Sequence, residues 1–167
     1  MAEDPASALA ELEKEIEARD QIADLLALAT AIDALGRTLA IEITRLAAVP
    51  EQATPLKLVL LRVPSVHTRA LLRTAEKLDD AGSPRRATRV LLVALRKAID
   101  ANLVDVVATA LSFTLDAQRP AIAKLDQLLA VDPALDRRER RQRHLALVDE
   151  LETMIMWDEL DDELAYD

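Results

Sequence analysis

Residues 78–98, LDDAGSPRRATRVLLVALRKA, decide the fold. Gly82 suits the left-handed backbone that ends a helix. Ser83-Pro84 joins a capping residue to the residue best tolerated in a first helical turn. Beyond it Ala87, Val90, Leu91, Ala94 and Ala98 recur at three- and four-residue intervals on one face, and Arg85, Arg89 and Arg96 lie together on the other. One helix closes, the chain turns, and an amphipathic helix opens.

The same pattern extends both ways. Upstream, Ser65 to Ala81 reads as a helix, and a short helix over about 55–63 fits between Pro55 and Pro64. Residues 37–49 are ambiguous: Leu39, Ile41 and Ile43 alternate like a strand, while Leu39, Ile43 and Leu46 fit a helix. Helix is favoured, because no second strand exists to pair with it. A first helix opens at Asp4-Pro5 and carries Leu9, Leu12, Ile16, Leu26, Ala29 and Ile32 toward a stop at Gly36. Downstream, helices are expected over 103–117 and about 120–131, then a break at Asp132-Pro133 and a last helix from about Ala134. The expectation is an all-α multi-helix bundle or short α-hairpin array of seven to eight helices, forming one domain over 1–167.

Composition agrees. The 167 residues include only two glycines, too few for a strand-and-turn protein, and half are hydrophobic, enough for a real core. There is no cysteine, which excludes disulfides and thiolate metal sites. Phe113, Trp157 and Tyr166 are the only aromatics, so the core must be aliphatic and a stacking platform for bases or flat cofactors is not expected. No apolar run approaches the ~20 residues of a membrane span. The acidic start, Met1 to Pro5, lacks the order of a signal peptide. A soluble, cytoplasmic protein without membrane association is expected. The scarcity of glycine, cysteine and aromatics also suits a de novo design, whereas the irregular, proline-broken loops suit a natural chain.

A shift of 34 residues superposes Ala87, Leu91 and Leu95 on Ala121, Leu125 and Leu129. Leu71, Ala75, Leu78, Gly82, Ala87, Leu91 and Ala94 then occupy packing positions of a two-helix repeat, and Leu128 with Asp132-Pro133 ends a second. Residues 68–133 thus resemble two tetratricopeptide-like hairpins. Asp105, Thr109 and Ser112 depart from that pattern, and its usual Trp and Tyr are absent. The resemblance implies a protein-binding scaffold without enzyme activity.

Charge is segregated along the chain. Residues 1–36 hold nine acids and two bases, residues 37–148 twelve acids and nineteen bases, and residues 149–167 nine acids and no base. Arg137, Arg138, Arg140, Arg141 and Arg143 form a second basic cluster, beside His144. Three readings follow: solvated faces, acidic ends folded over the basic middle within or between chains, and nucleic-acid binding. A net charge of −9 and the missing aromatics argue against the last. In the tail, Trp157, Leu160 and Leu164 share a helical face among acids. That face either docks in a partner's groove or packs on its own bundle.

Chemical motifs are sparse. His67 and His144 are the only histidines, and neither ExxH nor HExxH occurs. His67, near a helix start, reads as a surface or capping residue. Arg137 or Arg138 with His144 gives an Arg-x5/6-His spacing that resembles the catalytic motif of HEPN ribonucleases, without the polar residue that usually follows the Arg. Gly36 and Gly82 are too far apart for a phosphate loop, and no metal or cofactor is expected. Helix 103–117 is apolar nearly all round, but Asp105, Thr109, Ser112 and Asp116 share one face. Either that stripe is a window to solvent or it lines an internal pocket. In the second case burial raises the pKa of Asp105, which becomes a candidate general base or ligand anchor.

The leading expectation is a protein–protein interaction or scaffold module that uses charged surfaces, with Arg85, Arg89, Arg96, Trp157, Leu160 and Leu164 as docking residues. Either a protein partner or self-association follows. The alternative is a helical bundle with a small-molecule or catalytic pocket around Asp105, Thr109, Ser112 and Asp116.

Overall fold

The computed structural model describes residues 4–115 and 119–164, and their side chains apart from those at 119 and 156–164. Among the described residues the chain is all-helical, with seven helices and no strand. They are α1 (Pro5–Ala18), α2 (Ile22–Arg45), α3 (Pro50–Asp80), α4 (Pro84–Ala101), α5 (Val104–Leu115), α6 (Arg119–Leu129) and α7 (Arg137–Leu164).

The turn quoted first forms as read. Gly82 sits at φ +78°, and the Ser83 N–H donates to the Leu78 carbonyl at 2.9 Å, closing α3. Asn102, at φ 56°, closes α4 the same way, with the Leu103 N–H on the Ala98 carbonyl at 3.0 Å. Ser83 and Asp4 occupy N-cap positions, but neither side chain bonds a backbone N–H of its helix.

Three boundaries differ from the sequence reading. The first helix breaks at Arg19–Gln21, where Arg19 and Gln21 are extended, so α1 folds back against α2. Gly36 stops nothing: it lies inside α2, which continues through the ambiguous stretch to Arg45. A Cβ on Gly36 would stand 3.0 Å from Val63 Cγ1, so glycine is there to let α2 approach α3. Pro55 and Pro64 do not break α3, which runs 31 residues from Pro50. Each proline removes one helical N–H; Pro55 does so near the start of α3, and at Pro64 the packing of α3 on its neighbouring helices outweighs the local loss.

α2 and α3 form a long antiparallel hairpin. The far half has little core of its own: between residues 40 and 62 Ala53 alone is buried. The main core lies at the other end, where Ile32, Ala70, Leu78, Leu91, Leu95 and Leu111 are almost wholly enclosed. Each such leucine or isoleucine contributes roughly 1.5–3 kcal/mol. Phe113, by contrast, is 77% exposed, as an aliphatic core requires. The buried Thr68, Thr74 and Thr88 hydroxyls donate to carbonyls four residues back, at 2.7, 2.8 and 2.9 Å.

Among the described residues, several acids near both ends pair with bases of the middle. Glu13 of α1 accepts from Arg62 at 2.9 Å and from Arg69 on α3, and Asp20 accepts from Arg73 at 3.1 Å. On the other side Asp149 and Glu152 of α7 hold Arg96 of α4, and Glu150 holds Lys124 of α6. Asp100 meets Arg141 near the start of α7 while Arg96 meets residues further on, so α4 and α7 run antiparallel.

Candidate functional site

Helix ends create two adjoining concavities. The larger, a groove of about 530 Å³, lies between the α2–α3 hairpin and the start of α7. Ile43, Leu60, Leu61 and Pro64 make it apolar, and Lys57, Asp100 and Arg137 stand around them. Leu61 is 69% exposed, and Leu58, one turn before it, is 61% exposed. Large aliphatic side chains so open to water lose the benefit of burial.

The second concavity, a cleft of about 380 Å³, opens where α4 and α6 end and α5 and α7 begin. Arg137, Arg140, Arg141 and His144 line it from α7, and Asp100 and Asp105 from α4 and α5. Ile99, Val104, Leu128 and Val131 supply apolar surface. Arg141 Nε donates to Asp100 at 2.8 Å. Burial and the charge of Arg140 press the His144 imidazole below its ordinary pKa, against Asp105 and a hydrogen bond to the Leu128 carbonyl, which pull upward. Asp100 and Arg137 line both concavities.

The sequence-derived candidates fare differently. Arg96 is committed inside the molecule: its Nε and Nη2 donate to Glu152 at 2.8 and 2.7 Å, and Nη2 also reaches Asp149. Those carboxylates raise its pKa further. Arg85 and Arg89 are exposed and are engaged as well, so the three arginines of this face are not free cations. The Asp105 stripe lies on the surface and not inside the bundle: Asp105 and Thr109 are exposed and Ser112 is half-buried. The hydroxyls of Thr109 and Ser112 donate back to their own helix, to the Asp105 and Thr109 carbonyls at 2.7 and 2.6 Å. The internal pocket is therefore replaced by a surface cleft in which Asp105 stands among cations. Asp116 lies outside the described residues, as do the side chains of Trp157, Leu160 and Leu164.

His67 corrects its sequence reading. It is 6% exposed, wedged between α2 and α4, with Nδ1 3.9 Å from Asp33 Oδ1. Lys97 Nζ lies 3.5 Å from the same oxygen. Burial and Lys97 lower the pKa of His67, and Asp33 opposes them. Burial raises the Asp33 carboxyl, but Lys97 and Arg37 outweigh it, and the net shift is downward. Nothing in the local sequence signals this cluster, because its members come from three helices.

Among the described residues no helix is long and apolar enough to cross a membrane, and no group of three or more acidic or histidine side chains is placed to hold a metal ion. No family model, curated protein or solved structure matches the chain.

Proposed function

We propose that this chain is a protein-interaction module that takes an amphipathic helical segment of its partner into the groove between the α2–α3 hairpin and α7. The observation that carries this reading is the exposure of Leu61 beside Ile43, Leu60 and Pro64 in one apolar concavity. Helices dock in such grooves through apolar residues at three- and four-residue spacing. Lys57 and Arg137 at the rim favour a segment with acids beside its apolar face, since Asp100 is occupied by Arg141. The chain's own residues 157–164 have that chemistry, so a second copy is one source of it. The groove replaces the Arg85, Arg89 and Arg96 face as the docking surface, because Arg96 is spent on Asp149 and Glu152.

Selection from a displayed library of helical peptides tests the proposal. The enriched peptides should combine Leu or aromatic anchors with Asp and Glu, and should lose binding to Leu61→Asp and to Lys57→Glu. Enriched peptides indifferent to both substitutions would contradict it.

A second reading is favoured by the cleft itself: a small-molecule site beside Asp105 and His144.

A further inference from the structure

The geometry points to the cleft at the start of α7 as a binding site for a small phosphorylated molecule with a compact apolar body, its phosphate held by Arg137, Arg140 and Arg141. The inference rests on reading this cleft as a small-molecule site, and it names the ligand.

The first observation is a lack of partners. The chain carries 30 acids against 21 bases. Many bases of α3 and α4 are tied to acids: Arg62, Arg69, Arg73, Arg96 and Lys97 all form ion pairs. Among the described residues Arg137 and Arg140 form none, though both face the same cleft. In so acidic a protein, two unpaired arginines converging on one cavity constitute an unmet demand for an anion.

The second observation is their position. Cations are favoured near a helix C-terminus and disfavoured near its N-terminus, where the peptide dipoles are already positive. Arg137, Arg140 and Arg141 occupy the first turns of α7 at three- and four-residue spacing, so they also repel one another. An anion in the cleft relieves both penalties. The start of α5 opens on the same space and adds its own positive end.

The third observation bears on the ligand's other part. Asp100 and Asp105 also line the cleft, but Asp100 is neutralised by Arg141, and the arginines outnumber the carboxylates. A planar guanidinium matches phosphate oxygens in pairs, so a phosphate suits this cluster better than a monovalent ion. At about 380 Å³ the space exceeds a bare phosphate and falls in the lower range of small-molecule sites. Ile99, Val104, Leu128 and Val131 offer the remainder apolar contact.

The test is calorimetric titration of the full chain at fixed ionic strength with phenyl phosphate, inorganic phosphate and phenol. Saturable one-to-one binding of phenyl phosphate, at least about tenfold tighter than either fragment, is expected. Arg137→Ala and Arg140→Ala should each weaken it at least about fivefold, with Arg140→Lys retaining part of the affinity. Arg138→Ala, outside the cleft, should leave it unchanged, and melting curves confirm that each variant folds. Equal binding of phenol and phenyl phosphate would overturn the phosphate assignment and keep the small-molecule reading. No saturable binding of any probe would overturn both. Equal loss in Arg138→Ala would show diffuse charge attraction and overturn the assignment. Arg140 lines the cleft and not the groove, so its variant separates this site from peptide docking.

Discussion

Arg96 and Glu152 face each other across α4 and α7 through two parallel hydrogen bonds, at 2.8 and 2.7 Å. Both side chains are partly shielded, and Asp149 joins them. A paired geometry with two carboxylates makes this one of the surface ion pairs that fixes a helix in place. Removing either partner should cost about 1 kcal/mol, and a double-mutant cycle of Arg96→Ala with Glu152→Ala should give a coupling of similar size. Denaturant titration of the four proteins measures it. Strictly additive losses would mean that α7 is held by its apolar face alone.

The Gly36–Val63 approach makes a prediction of opposite character. A side chain larger than hydrogen at position 36 meets Val63 Cγ1. Gly36→Leu should therefore destabilise the chain by roughly 1–3 kcal/mol despite its better helix propensity. Val63→Ala should recover part of that loss. A stabilised Gly36→Leu would show that Gly36 has no packing role.

The core sets the scale. Leu95 is fully enclosed, and Leu95→Ala should cost about 3 kcal/mol. That lowers the melting temperature by roughly 6–12 °C for a chain of this size. Phe113→Ala, at an exposed position, should shift it by less than about 2 °C. Thermal melts of the two variants check the contrast.

Acidification should act through His67. Its folded pKa lies below the unfolded value of 6.5 because burial and Lys97 oppose the proton, with only Asp33 favouring it. The unfolded chain then takes up the proton more readily, so stability falls as pH drops below about 6.5 and is unaffected above it. His144 is shifted the same way and adds to the slope. Asp33 is shifted down, so its contribution holds above 3.8 and fades only as pH falls lower. Between pH 7 and 5 the stability loss should be smaller in His67→Gln than in the parent. Identical slopes would remove His67 as the cause.

The helix punctuation legible in the sequence was the local kind. Gly82 and Pro84 act on their immediate neighbours and sit as read, while Ser83 takes the N-cap position without a side-chain capping bond. Gly36 misled because its reason, Val63, lies on another helix. Pro55 and Pro64 misled because α3 runs through both: Pro55 loses one bond near the helix start, and packing on neighbouring helices offsets the bond lost at Pro64. Periodicity located the Asp105 stripe but not the direction it faces, which depends on how α5 sits against α4 and α6. The groove and the cleft had no local signature at all. Both are made by helix ends far apart in sequence, and Arg137 joins them.

The groove beside Leu61 is proposed to receive a partner's helix. The most direct measurement is methyl NMR of the intact chain titrated with an acidic amphipathic helical peptide from the selection. The methyls of Ile43, Leu60 and Leu61 should shift in a saturable manner, while those of Leu91 and Leu95 in the core stay still. Shifts confined to Val90 and Val93 on α4, with Ile43, Leu60 and Leu61 unmoved, would contradict docking in the groove and return it to the arginine-bearing helix.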